Sequence, residues 1–123
     1  MYGFTTISVD SKGRLAIPAK YRDQLVVQNE VNIVVTRDPQ YPALKIYPGS
    51  IWKKISSELQ RLQGLDPIVR NLQWTILGNA SVSSFDPKSR MLVLISSELR
   101  DYAEISKSAR VSIIGMGNKF EVW

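Results

Sequence analysis

The chain opens on an alternating pattern. In "FTTISV", Phe4, Thr6 and Ser8 alternate with Thr5, Ile7 and Val9, the two-residue period of a strand. "DSKG" interrupts it. Aspartate favours local bonds to backbone N–H groups, and Gly13 tolerates a positive φ, so this is a turn. "RLAI" then predicts a second short strand and hence a hairpin. Pro18 suits the first turn of a helix, where the N–H it lacks would have no partner. "PAKYRDQL" supplies about two helical turns, with Tyr21 and Leu25 on the buried side. "VNIVVT" is apolar enough for a central strand, "RDPQYPA" is a loop, and "LKIYP" returns as its paired strand.

The period changes between Ser50 and Gly64. Ile51, Ile55, Leu59 and Leu62 follow helical spacing, with Ser50 as the expected N-cap and Gly64 as the terminator. "DPIVRNLQWTIL" predicts another helix, with Asp66 as cap, Pro67 at the first position, and Ile68, Leu72 and Ile76 as its apolar stripe. After Gly78 the β pattern returns: strand "NASVSSF", turn "DPKS", strand "RMLVLI". A short helix "SSELRDYAEI" follows, capped by Ser96 or Ser97, then strand "ARVSIIG", a turn at "MGN" and the last strand "KFEVW".

Set side by side, the two ends share one order: strand, basic turn, strand, short helix, strand, strand. "FDPKSR" repeats the pattern of "VDSKGR", so that Asp86 matches Asp10, Lys88 matches Lys12 and Arg90 matches Arg14. Tyr21-Arg22 matches Leu99-Arg100, "VNIVV" matches "VSIIG", and "LKIY" matches "FEVW". The matched positions include turn charges as well as apolar residues, which generic hairpins would not share. The pattern is that of an internal duplication: a first half over residues 1–48, an inserted helical hairpin over 49–78 and a second half over 79–123. Units this small cannot each bury a core. The expected fold is therefore α+β, mainly β, with two pseudo-symmetric halves interleaved around one core and the two basic turns in equivalent positions.

Composition narrows the function. With 123 residues, 44% hydrophobic and 22% charged, the chain has room for one real core. It has no cysteine and no histidine. Disulfides and thiolate metal sites are thereby excluded, and the commonest general base and metal ligand are missing. No run of 18 apolar residues suggests a membrane span and no secretory signal is visible, so a cytoplasmic, cofactor-free protein that is not an enzyme is expected. The net charge of +5 permits a polyanionic partner without requiring one.

The basic turns are the candidate site. Arginine presents a planar fork that can donate two hydrogen bonds to guanine O6 and N7, which suits Arg14 and Arg90 to base reading. Lys12 and Lys88 are compact charges suited to phosphate contact, or else solubilising surface residues. DNA would repel Asp10 and Asp86, so their expected task is to cap the turn and orient the arginine. Arg22 and Arg100 either pair with acidic neighbours inside the fold or face DNA. The three tryptophans, Trp52, Trp74 and Trp123, are expected in the core or at an interface, and Lys53, Lys54 and Arg61 on a solvated helix face.

"DSKGRLAIPAKYR" resembles the signature of the AbrB/SpoVT family of swapped-hairpin DNA-binding domains. Two copies in one chain, a helical pair between them and the terminal "GMGNKFEVW" are similar to a branch of bacterial transcription regulators. The resemblance implies swapped-hairpin β-barrel halves folded together like a dimer within one chain. It further implies a regulator, typically a repressor, of the division and cell-wall gene cluster that begins with its own gene. Such a protein binds short G-rich direct repeats in double-stranded promoter DNA, assembles into a homo-oligomeric ring and associates with the nucleoid. The DxxxR motifs carry binding, here Asp10 to Arg14, with Gly13 between, and Asp86 to Arg90. The second motif departs from the pattern, with Ser89 where glycine is usual and Pro87 beside the aspartate. Relatives also continue past the position of Trp123 through a helical tail.

Overall fold

Among the described residues, eight strands and four α-helices form where the two-residue and 3.6-residue periods fall, in an α+β architecture that is mainly β. The computed structural model describes residues 1–28, 30, 32–62, 65–84 and 92–123. In chain order the elements are β1 (Tyr2–Ser8), β2 (Arg14–Ala16), α1 (Ala19–Val27), β3 (Asn32–Arg37) and β4 (Leu44–Pro48). Next come α2 (Gly49–Arg61) and α3 (Pro67–Leu72), the latter running into a π-helical turn at Gln73–Leu77. The chain then forms β5 (Ser81–Ser84), β6 (Leu92–Leu94), α4 (Ser97–Ala103), β7 (Arg110–Met116) and β8 (Phe120–Val122).

The strands exchange partners across the chain. The larger sheet has six antiparallel strands in the order β1-β7-β8-β4-β3-β5, and β2 pairs with β6 in a separate ribbon. The order is palindromic: the first strand of each end pairs with the third-strand neighbour from the other end, β1 with β7 and β5 with β3. The fourth strands meet at the centre, with Ile46 opposite Phe120. This corrects the expected hairpin of "FTTISV" with "RLAI". The chain does reverse at Asp10–Arg14, but β1 runs along β7 from Tyr2↔Met116 to Ser8↔Arg110, while Leu15 of β2 faces Val93 of β6. The described strands leave β1 and β5 as sheet edges.

One apolar cluster runs through both ends. Val9, Leu15, Ile17, Tyr21, Leu25, Ile33, Val35, Leu44 and Ile46 pack with Val93, Ile95, Leu99, Val111, Ile113, Phe120 and Val122. Tyr21 anchors it: the ring lies 4.7 Å from Phe120, and the hydroxyl sits 3.0 Å and 2.9 Å from the carbonyls of Tyr2 and Gly3. A buried tyrosine needs such an acceptor, and this one ties α1 to β1.

The helices differ from the expected ones in two places. Ser50 does not cap α2, which begins at Gly49 after Pro48 with no side-chain cap. Instead the Ser50 N–H and hydroxyl both donate to the carboxylate of Glu30, a buried residue. The expected stripe of Ile68, Leu72 and Ile76 is broken, because the π-helical turn shifts the register and Ile68 is 72% exposed. Of the tryptophans expected in the core or at an interface, Trp52 is half-buried against Tyr47, and Trp74 and Trp123 are exposed and so not in the core of this chain. The caps at Asp66, which accepts from Ile68 N, and Ser96, which accepts from Leu99 N, lie where the sequence puts them. The expected terminator Gly64 lies outside the described residues. Gln73 Nε2 donates to Leu59 O at 2.8 Å, and Thr36 Oγ1 to Ile76 O at 2.6 Å, so the helical segment between β4 and β5 is bonded to itself and to the sheet.

Candidate nucleic-acid interface

The turn between β1 and β2 is built on one carboxylate. Asp10 Oδ1 accepts the backbone N–H groups of Lys12 at 2.9 Å and Arg14 at 2.8 Å, and Oδ2 accepts Arg14 Nε at 2.9 Å. Backbone bonds close the same loop, Asp10 N to Arg14 O at 2.8 Å and Gly13 N to Asp10 O at 3.0 Å. Gly13 has φ +80°, a conformation that any side chain makes costly. The turn is therefore a stiff ring of backbone and side-chain bonds on the end of a sheet, anchored behind by Val9 N donating to Ala109 O at 2.8 Å.

These contacts act on charge as well as shape. The N–H groups that point at Asp10, first that of Arg14, hold its carboxyl below the ordinary 3.8. Loss of water around the group opposes this, and Arg14 Nε, the Lys12 N–H and the Arg14 charge add to it. A carboxylate lowered on folding contributes stability that is in place above its unfolded pKa and is lost as pH falls through the lower folded one. The turn should thus open only below pH 3.8. Amide shifts of Lys12 and Arg14 followed by NMR should report a midpoint under that value; a midpoint at or above it would show that the bonds to Asp10 do not persist in solution.

What the turn presents is cationic. Lys12 is exposed at its tip. Arg14 is half-exposed, its Nε held by Asp10, and among the described residues Nη1 and Nη2 make no hydrogen bond. The base of the fork is thus fixed while the side chain stays partly exposed. Asp86, Lys88 and Arg90, the expected second turn, lie outside the described residues. Neither Arg22 nor Arg100 forms an ion pair among the described residues; Arg100 Nη1 instead donates to Ile95 O at 3.3 Å. Lys53, Lys54 and Arg61 are exposed on α2, the last paired with Glu58. Sequence reasoning flagged Arg100 through its match to Arg22, but not its contact with the first turn. Nothing local in the sequence relates residues 13 and 100.

Among the described residues, no group of His, Cys, Asp and Glu is placed to hold a metal ion, and no helix is long and apolar enough to cross a membrane.

The family model described as "MraZ protein, putative antitoxin-like" matches residues 1–73. A relative from Nitrosomonas europaea, "Transcriptional regulator MraZ", is 48% identical over 121 residues, which is 98% of this chain and 78% of the relative. The chain belongs to the MraZ family. MraZ proteins of Nitrosomonas eutropha and Idiomarina loihiensis, which carry the same description, are 45% and 44% identical over 98% of this chain and 78% and 77% of their own lengths. The family-model match covers the Asp10–Arg14 turn, β1 to β4 and most of the helical segment, and the alignments with the relatives extend over nearly the whole chain.

Proposed function

We propose that this MraZ-family chain is a sequence-specific DNA-binding transcriptional regulator, whose basic turns enter the major groove of repeated G-rich sites in its own promoter. It acts as a repressor of the division and cell-wall gene cluster, on the nucleoid in the cytoplasm. It is assembled from two swapped-hairpin halves, residues 1–48 and 79–123, around the insert 49–78. Arg14 and Arg90 read bases, Lys12 and Lys88 contact phosphate, and Asp10, Gly13 and Asp86 support the two turns. The observation that carries the reading is the Asp10–Arg14 geometry, a partly exposed arginine whose Nε is held by Asp10, which leaves the two terminal nitrogens as the donors a bidentate contact with guanine uses. A single turn binds weakly, and a homo-oligomeric ring that meets several repeats at once raises affinity through effective concentration. Arg14→Ala should abolish preference for a repeat-containing duplex over a scrambled one, measured by fluorescence anisotropy, while circular dichroism stays unchanged. The wild-type protein should show a log–log salt slope of about −0.9 per neutralised phosphate. Equal affinity of the wild type for both duplexes would end the proposal.

A second reading, a ring-forming scaffold for protein partners, draws on the insert. Leu65, Ile68 and Trp74 expose apolar surface there, at 93%, 72% and 65%, more than a solvated helix face needs. Partner capture that survives nuclease treatment would favour it. Light scattering with and without the repeat duplex separates DNA-driven assembly from assembly by the chain alone.

A further inference from the structure

The first turn is not supported by its own half alone. Gly13 O accepts Ile95 N at 2.9 Å, and Ile95 O in turn accepts Arg100 Nη1 at 3.3 Å. The guanidinium of Arg100, carried on α4, then lies against Gly13. A Cβ placed on Gly13 would fall 1.6 Å from Arg100 Nη1 and 2.9 Å from its Cζ. Gly13 is thus required twice, once by its positive φ and once by the group packed on it. The sequence of contacts runs from the Asp10 loop through two backbone groups of residue 95 to a side chain on the fourth helix, crossing from one end of the chain to the other.

We propose that Arg100 is a positioning residue for the turn 10–14, holding Arg14 in its reading orientation without itself touching DNA. The inference rests on the reading that this turn contacts DNA. The guanidinium is flat, so it can lie on a residue that has no side chain and still donate in its own plane to Ile95 O. Lysine cannot do this: its ammonium is a compact, strongly hydrated point on a flexible stem. The backbone path from Ile95 N to Gly13 O then fixes the height of the turn above the sheet. The Asp10 carboxylate fixes the direction of the arginine from the other side. The two supports come from opposite ends of the chain and act on the same five-residue ring.

Three proteins and one spectrum test this. Arg100→Met and Arg100→Lys should each bind the repeat duplex roughly tenfold more weakly, the loss expected when one bidentate contact is misaligned. Both should keep the wild-type salt slope, because no phosphate contact is lost. Wild-type affinity in Arg100→Met, restored affinity in Arg100→Lys, or a slope reduced by about 0.9 in Arg100→Met would each overturn the proposal, the last two by making Arg100 a direct charge contact. Arg14→Ala is measured beside them. Loss of sequence preference in that variant with none in the Arg100 variants removes only the positioning role, whereas preserved preference in Arg14→Ala removes the DNA reading of the turn itself. Should the Arg100 variants fail to fold, the unmodified protein still decides. Nitrogen-15 NMR should show hindered rotation of the Arg100 guanidinium and slow exchange of the Ile95 amide, and free rotation with fast exchange would refute the contact.

Discussion

Asp10→Ala is expected to lower affinity for the repeat duplex by about tenfold or more while leaving, or even raising, affinity for a scrambled duplex. The two effects have separate origins. The substitution removes a negative charge from the surface that meets DNA, which strengthens non-specific attraction. It also strips acceptors from three N–H groups, those of Lys12 N, Arg14 N and Arg14 Nε. Arg14 then loses the partner that fixes its base, and its outer edge sweeps over many directions instead of one. Specificity is a difference between affinities, and here both terms move the wrong way. Asp10→Asn keeps a carbonyl acceptor and should fall between. Anisotropy titrations on paired duplexes read the ratio directly, and an unaltered ratio in Asp10→Ala would mean that Arg14 is oriented by something else.

Phe120→Ala should cost about 3–5 kcal/mol of folding stability. Phe120 is fully buried, packs at a tilt against Tyr21 and lies on β8 between Ile46 of β4 and Gly115 of β7. It therefore sits where strands from the two ends of the chain meet. Deleting the ring opens a cavity that strands paired on both sides cannot easily close. A typical domain has about 5–15 kcal/mol in total, so the variant should melt roughly 10–20 °C lower. Thermal circular dichroism checks this, and a loss under about 1 kcal/mol would show that the core repacks around the gap.

Local features of the chain are legible in its sequence because local chemistry decides them. Asp66 followed by Pro67 marks a helix start, Ser96 marks another, and Tyr21 and Leu25 fall on the buried side of α1 as their spacing requires. The turn at Asp10–Arg14 is equally readable, since aspartate and glycine at those positions have few other uses. Partnership is not readable in the same way. β1 offers the same alternating faces to β2 as to β7, and only the whole fold selects β7. For the same reason the contact between Gly13 and Arg100 is invisible, as is the bond from Ser50 to Glu30, which takes the hydroxyl away from capping α2. The π-helical turn at Gln73–Leu77 also escapes the period count, because one extra residue per turn moves Ile76 off the line of Ile68 and Leu72.

Partner exchange has a consequence on the ribosome. The register pairs of β1 and β7 join residues about a hundred positions apart, Ser8 with Arg110 being the nearest. At about 5–20 residues per second, β1 emerges on the order of 5–20 s before the strand that will cover it. Through that interval the nascent N-terminal segment has apolar residues and unpaired backbone but no mate. A neighbouring nascent chain of the same sequence offers that mate in identical form, so closely spaced ribosomes favour strand exchange between two chains, while wide spacing and quick synthesis of the remaining residues favour each molecule as its own partner.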